Sequence, residues 1–277
     1  MHIFNSPRLR ERRQGLELLN DLIRDKGKCY VIHYSCESFI TSHGRTPRVT
    51  AICVRNLKTA QTRSFSIHLK AQTMALDFNN LSVAEYDTVE KEMLEDFSNF
   101  VKKYPSFKWI HWNMRDSNYG FEAINNRIAI LGGQAFDIAD DFKYDLPRML
   151  GQIYTYGYEV NKPKGRLLNL ADRNHITTKQ ALTGEEEASA FDSKEYLRLH
   201  ISTLRKVDIL DTIIDRAQSN SLKVNVAKKH VYGLTLPGII ALIKETPWLL
   251  VLIGLIGYLL NIVIDPFVQR VMGTAAN

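Results

Sequence analysis

From Trp248 to Ile264 the chain reads WLLVLIGLIGYLLNIVI, 17 consecutive residues without a charge, set between Pro247 and Asp265-Pro266. A run of this length is the short end of what crosses the hydrocarbon core of a bilayer as a helix. The alternative is a helix in the core of a globular domain, which would have to be covered on every side because it is apolar all round. Trp248 and Tyr258 suit the interfacial or packing positions of a span. Lys223, Lys228, Lys229 and Lys244 precede the run, and only Arg270 follows it. The positive-inside rule then predicts a single C-terminal span over 247–266, a large N-terminal part in the cytoplasm and a short tail at 267–277. Gly254 and Gly257 would permit close helix packing, and Asn261 would hydrogen-bond between helices or face a lumen. One helix cannot line an aqueous pore, so conduction would require several chains.

Ahead of the span the composition is that of a folded protein. Of 277 residues, 45% are hydrophobic and 24% charged, which is ordinary for a globular chain. The net charge of +6 points toward a polyanionic partner, either nucleic acid or an anionic membrane. Cys29, Cys36 and Cys53 are odd in number and lack a CxxC spacing, which argues against a disulfide framework and a structural zinc site. The arginines at 8, 10, 12 and 13 have no apolar run behind them, so the N-terminus is not expected to be a secretory signal. Neither a phosphate-binding GxxxxGK[ST] loop nor a GxSxG elbow is present, and no cofactor or bound metal is expected.

Periodicity predicts the elements. Ser6-Pro7 reads as a helix start, with Leu9, Leu16, Leu19, Leu22 and Ile23 forming an amphipathic N-terminal helix within 1–27 that stops at Gly27. Strands are expected at YVIHY, at VTAICVRNL from Val49, at TRSFSIHL from Thr62 and at KWIHW from Lys108, with a hairpin turn at Lys58–Gln61. A helix from Val83 places Val89, Met93, Leu94, Phe97 and Val101 on one face. A second helix from Tyr119 stops at Gly132-Gly133, and the chain is mostly helical from there to Ser221. Three strands, a helix, a strand and then helices make an α/β domain with a mixed sheet over 28–221. Residues 222–246 form a basic, then amphipathic connector, in which LPGIIALIKE would lie in a membrane interface or act as a moving link.

Three stretches inside this domain carry the chemistry. CYVIHYSCESF is a buried strand that ends in Ser35-Cys36-Glu37. WIHWN is a strand followed by Asn118-Tyr119-Gly120-Phe121 at a helix start. HISTLRKVDILDTII is a helix in which His200 stands five residues ahead of Arg205. RLLNLADRN, from Arg166, lies between the last two. In this order the region resembles the proofreading-type 3′–5′ exonucleases of the DEDDh class, an RNase H-like fold. That family ends its first strand in Asp-x-Glu, opens the helix after its fourth strand with an aromatic and Asp, and sets a His five residues before an Asp on its last helix.

The departures from the pattern decide what the resemblance implies. The family's four carboxylates hold two Mg²⁺ ions that activate water and steady the leaving oxygen. On this alignment Ser35, Gly120 and Arg205 stand at three of the four ligand positions, Glu37 keeps the fourth, and His200 keeps the general base. A shift of frame would bring in Asp116 or Asp208 and restore two acids. Without the acids, a pocket shaped for a single-stranded 3′ end would bind without cutting, with Arg205 meeting a phosphate through paired hydrogen bonds. Tyr34, Phe39, Trp112 and Tyr119 are candidates for base stacking, with core packing as the ordinary alternative. His111 and Asn113 are candidate polar contacts or turn residues.

A degenerate exonuclease-like domain followed by a C-terminal span resembles the membrane effectors of Hailong-type antiphage defence systems. The resemblance implies a bacterial inner-membrane protein and a homo-oligomer such as a tetramer. It also implies a single-stranded DNA oligomer made by a nucleotidyltransferase partner, whose binding controls an ion channel. Two other readings stay open at this point: a membrane-anchored active exonuclease, and a membrane-tethered binding scaffold without a pore.

Overall fold

A computed structural model describes residues 6–38, 46–115 and 117–274; at 247, 263 and 265–274 it describes the backbone alone. Phe39 and Asp116 therefore lie outside the described residues. Packing divides the chain into two units, Arg13–Val226 and Met1–Arg12 with Ala227–Asn277.

The larger unit is an α/β domain with a mixed sheet, as the element order predicts. Helix α1 (Pro7–Ile23) ends before Gly27, and a 3₁₀ turn at Lys26–Lys28 leads into β1 (Cys29–Cys36). Strand β2 (Val49–Asn56) and strand β3 (Thr62–Ser66) follow. The segment TRSFSIHL does not stay extended to its end. It turns after Ser66 into α2 (Ile67–Thr73), where Ile67 and Ala71 are both buried. Those two share one helical face at a spacing of four, so burial there is satisfied by a period of 3.6 rather than 2.

Helix α3 (Val83–Lys102) starts at a capping box in which Glu85 N–H and Ser82 N–H are each received by the other residue's side chain. Its predicted face, Val89, Met93, Leu94, Phe97 and Val101, is buried throughout. Strand β4 (Lys108–His111) and helix α4 (Phe121–Ile130) agree with expectation. A short strand was not foreseen: β5 (Lys143–Asp145), three half-buried residues with no apolar run to announce them. Helices α5 (Leu146–Tyr154), α6 (Arg166–Arg173), α7 (Gly184–Asp192) and α8 (Tyr196–Gln218) complete the unit.

The sheet order is β3-β2-β1-β4-β5. β2 runs antiparallel to β1 and β3, whereas β1, β4 and β5 run parallel. β1 is therefore central and buried from Cys29 to Ser35. Its Tyr30, Ile32 and Tyr34 join Val89, Met93, Leu94 and Phe97 in one core cluster. A fully buried side chain of this size contributes about 1.5–3 kcal/mol. On the other face Ser35 accepts a hydrogen bond from Thr203 of α8 (3.1 Å). The carboxyl ends of β1 and β4 point the same way, and such ends leave a crevice between the loops that follow them.

In the smaller unit α9 (Lys228–Tyr232), α10 (Leu236–Lys244) and α11 (Pro247–Thr274) join the first residues of α1. Arg12, 2% exposed, donates to Glu245 (2.5 Å) and to the Tyr232 hydroxyl (3.3 Å). The same hydroxyl donates to Glu245 (2.9 Å). Helix α11 runs past the expected end of the span at Pro266. Every side chain from Leu250 to Ile262 is exposed, so this apolar run is not a covered core helix. Among the described residues no single helix is long and apolar enough to cross a membrane. Leu236–Lys244 and Trp248–Ile262, bent by 109°, reach that length and apolarity only when taken together.

Candidate functional site

The carboxyl end of β1 opens into a cleft of about 510 Å³. Its floor is His33, Tyr34, Ser35 and Glu37; Trp112, Asn113 and Tyr119 from the β4–α4 connection form one wall. Gly184 and Glu187 of α7 and Lys206 of α8 form the other. A second lobe of about 400 Å³ shares His33, Trp112, Asn113, Gly184, Glu187 and Lys206, and continues past Arg115, Lys164 and Arg166.

At the floor, three hydroxyls cluster around Ser35. Ser35 Oγ lies 2.6 Å from Thr50 Oγ1 and receives Thr203 Oγ1–H at 3.1 Å, while Thr50 Oγ1 donates to the Ser35 carbonyl at 3.0 Å. All three side chains are buried, and a neutral hydroxyl chain satisfies itself there without a counter-ion. Glu37 sits one step further out. Its carboxylate accepts the Arg48 N–H (3.3 Å), and its own N–H donates to the Arg48 carbonyl (2.8 Å). Arg48 pairs with Asp87 (2.9 Å). Asp87 also holds Arg127 (2.9 Å), whose guanidinium grips the buried Glu90 at 2.7 and 3.0 Å. Glu90 in turn receives the Val49 N–H (2.6 Å). This network pins the start of β2, and with it the backbone that holds Glu37.

The cation of the cleft is Lys206. The residue is 7% exposed, and its Nζ lies 2.6 Å from Glu187 Oε1, which also receives the Ser202 hydroxyl (2.9 Å). Burial, and then the charge of Lys206, hold the His33 imidazole well below its usual range, so it is neutral at physiological pH and acts as a hydrogen-bonding group. Burial also pushes the Tyr119 phenol well up. Tyr119 stacks on Tyr34 (4.5 Å between centroids, 11° between planes) and donates to the Tyr34 carbonyl (3.0 Å). Tyr34 is 2% exposed and Trp112 7%, whereas Tyr119 is half-buried, the most exposed residue of the three.

Of the residues singled out from sequence, Tyr34, Ser35, Glu37, Trp112, Asn113 and Tyr119 come together in the cleft. Four others do not line it. His111 is buried at the end of β4, accepts the Met114 N–H at Nδ1 (3.2 Å), and is pushed down to about 3 by burial and then by Arg115. Gly120 caps α4 and donates its N–H to the Tyr34 hydroxyl (3.0 Å). A Cβ on Gly120 would stand 2.7 Å from the Met114 carbonyl carbon, so a carboxylate-bearing residue has no room there. His200 packs against His68 (4.9 Å between centroids), and burial, then His68, push it down to about 4. Arg205 turns to Asp208 (3.5 Å), and Asp208 pairs with Arg55 (3.1 Å). Gly254, Gly257 and Asn261 lie on α11, in the other unit.

The chain matches no known family, curated protein or solved structure. The site is therefore read from its own residues. Sequence reasoning missed Lys206, Glu187 and Gly184. One signal was available: Thr183-x-x-Glu186 is a capping-box pattern, and it marks the start of the helix that walls the cleft. A second lay in the period of α8, where Leu199, Thr203, Lys206 and Leu210 are buried on the inner face and Arg205 is not. Among the described residues, no group of three or more His, Cys, Asp or Glu is placed to hold a metal ion.

Proposed function

We propose that the cleft binds single-stranded nucleic acid through its phosphates and does not cut it, and that the chain is a membrane effector controlled by that ligand. The observation that carries this reading is Lys206. An ammonium ion on α8, 2.6 Å from a carboxylate, lines the same cleft as Ser35 and Glu37, where the resemblance to metal-dependent exonucleases would put divalent cations. A fixed cation repels a second one and attracts a phosphate.

The sheet order β3-β2-β1-β4-β5 with only β2 reversed supports an RNase H-like assignment. So does the position of the cleft at the end of β1. The wall formed by α7 suggests a better place for the third motif than His200 and Arg205. Gly184 lines the cleft, and Lys179 stands five residues ahead of it, the spacing of the family's His and Asp. On that alignment Ser35, Gly120 and Gly184 replace three carboxylates, and Lys179 replaces the general base. The exposed apolar helix and the bent pair it forms with α10 support attachment to a membrane.

The deciding experiment uses purified full-length protein and an internally labelled single-stranded DNA. The strand should be retained at low salt in Mg²⁺, Mn²⁺ or chelator alike, and should stay full length. Shortening that Glu37→Gln abolishes would establish an exonuclease instead. Reconstituted into liposomes, the protein should pass ions in a manner that changes when oligomers are added; absence of flux in both states would leave a tethered scaffold.

A further inference from the structure

We infer that the second lobe of the cleft is a subsite for a phosphomonoester, so that the protein reads a terminal phosphate on its strand. The inference rests on the strand-binding reading and adds to it the end of the ligand that is recognised. The lobe has four cationic side chains: Arg115, Lys164, Arg166 and the shared Lys206. Three carboxylates partner them. Arg115 pairs with Asp145 (2.7 Å), Lys164 with Asp172 (2.9 Å) and Lys206 with Glu187 (2.6 Å). Arg166 has no carboxylate partner among the described residues. Its guanidinium lies 5.4 Å from the centroid of the Tyr158 ring, and its Nε is buried without a hydrogen-bond partner.

The sum is one positive charge in excess. The Lys164–Asp172 pair is open to solvent on both sides, at 50% and 39%; such an exposed pair contributes little, so Lys164 turns to a phosphate at little cost. The start of α6 beside Arg166 adds roughly half a positive charge. A backbone diester carries a single charge, whereas a monoester carries about −1.5 to −2 at neutral pH. The lobe matches the monoester better.

The loop that presents these cations is fixed in advance. Gly165 N–H donates to the Asn161 carbonyl (2.7 Å). Asn161 Oδ1 receives the Arg166 N–H (3.3 Å), and Asn169 Nδ2 donates to the carbonyls of Val160 and Lys162 (2.9 Å each). Gly165 has φ +88°, which a side chain would strain. Arg166 and Lys164 therefore project from a backbone that needs no further ordering when a ligand arrives.

The test is a competition at constant salt between an internally labelled strand and three unlabelled strands of the same sequence. One carries a 5′-phosphate, one a 3′-phosphate and one hydroxyls at both ends; deoxynucleoside 5′- and 3′-monophosphates are titrated in parallel. One phosphorylated strand should bind full-length protein about tenfold more tightly than the hydroxyl strand, a difference of about 1.4 kcal/mol. In the double variant Lys164→Gln/Arg166→Gln that preference should vanish, while the hydroxyl strand loses less than about threefold. If all three strands bind alike, the subsite is overturned and strand binding stands. If no strand binds but a monophosphate does, and Arg166→Gln abolishes it, the subsite stands and the strand reading falls. No binding of either kind overturns both.

Discussion

Replacing Lys206 with Met tests the heart of the site, because it removes the charge and keeps most of the volume. In the unliganded protein the loss falls on Glu187. The two side chains are 9% and 17% exposed, and removing one partner of a fully buried pair costs about 3–5 kcal/mol. Glu187 faces an open cleft and keeps the Ser202 hydroxyl at 2.9 Å, so part of that cost is recovered by water. The expected destabilisation is about 1–3 kcal/mol, read as a lower midpoint in chemical denaturation with an unchanged slope. Strand binding should weaken at least tenfold, since a charge-assisted hydrogen bond contributes about 1.5–3 kcal/mol. The salt dependence should become shallower by about 0.7 in the log–log slope for each phosphate that is no longer neutralised. Glu187→Gln provides the opposite sign. It frees Lys206 from its carboxylate, and the strand should bind severalfold more tightly although the fold is again weakened. Anisotropy titrations at four salt concentrations read both quantities. A folded Lys206→Met protein with the wild-type affinity and slope would show that the phosphate does not meet this side chain.

Gly120→Asp should lower the unfolding free energy by about 1–3 kcal/mol without creating nuclease activity, because its Cβ would meet the Met114 carbonyl carbon at 2.7 Å; wild-type stability would refute the crowding argument. His200, with a folded pKa of about 4 against an ordinary 6.5, contributes stability that is full above pH 6.5 and is lost as pH falls through 4. His200→Leu should flatten the fall in unfolding free energy between those values by up to about 1.4 kcal/mol per pH unit, as denaturation at a series of pH values would show. Arg12→Ala deprives Glu245 and the Tyr232 hydroxyl of a donor and should cost the smaller unit about 1–3 kcal/mol, seen as faster amide exchange over 236–244 and little change in β1.

Where burial followed a single period, the sequence was sufficient. Strand β1 is buried on both faces and reads as an apolar run interrupted only by His33 and Ser35, and α3 carries its predicted buried face at helical spacing. Two elements escaped for opposite reasons. β5 is three half-buried residues, too short to have a period, and pairs only because β4 supplies an open edge. The end of the third predicted strand became α2 because Ile67 and Ala71 satisfy both patterns locally, and tertiary burial chose between them. In the site, the residues attached to strand ends were legible, since a strand end fixes direction: Tyr34, Ser35, Glu37 and Trp112 all reach the cleft. The helix-borne position was not. Neighbouring residues on a helix point about 100° apart, so a spacing borrowed from a motif without its residues selected Arg205, on the face toward Asp208, instead of Lys206.

That one-residue difference also changes how occupancy would be controlled. A site built on bound divalent cations holds its strand only as far as the metal concentration allows, because each ion enters the binding equilibrium. In this cleft the positive charge is covalent, and the carboxylate that neutralises it, Glu187, is fixed on the facing helix. If a strand binds as proposed, its occupancy would depend on the strand itself and on the salt that screens it. The pair must open for a phosphate to enter. On the proposed reading the wall of the cleft would have two arrangements: Lys206 bound to Glu187 of α7 when empty, as in the structure, and Lys206 bound to ligand when full. A ligand shifts a protein only by what it prefers in one state over another. On the proposed reading that preference would be the exchange of one carboxylate for one phosphate, made between α7 and α8. Any signal the strand sends to the rest of the chain begins with that exchange. Glu187→Gln, which breaks the pair without ligand, should therefore reproduce part of the bound state in the exchange rates of α7 even when no strand is present.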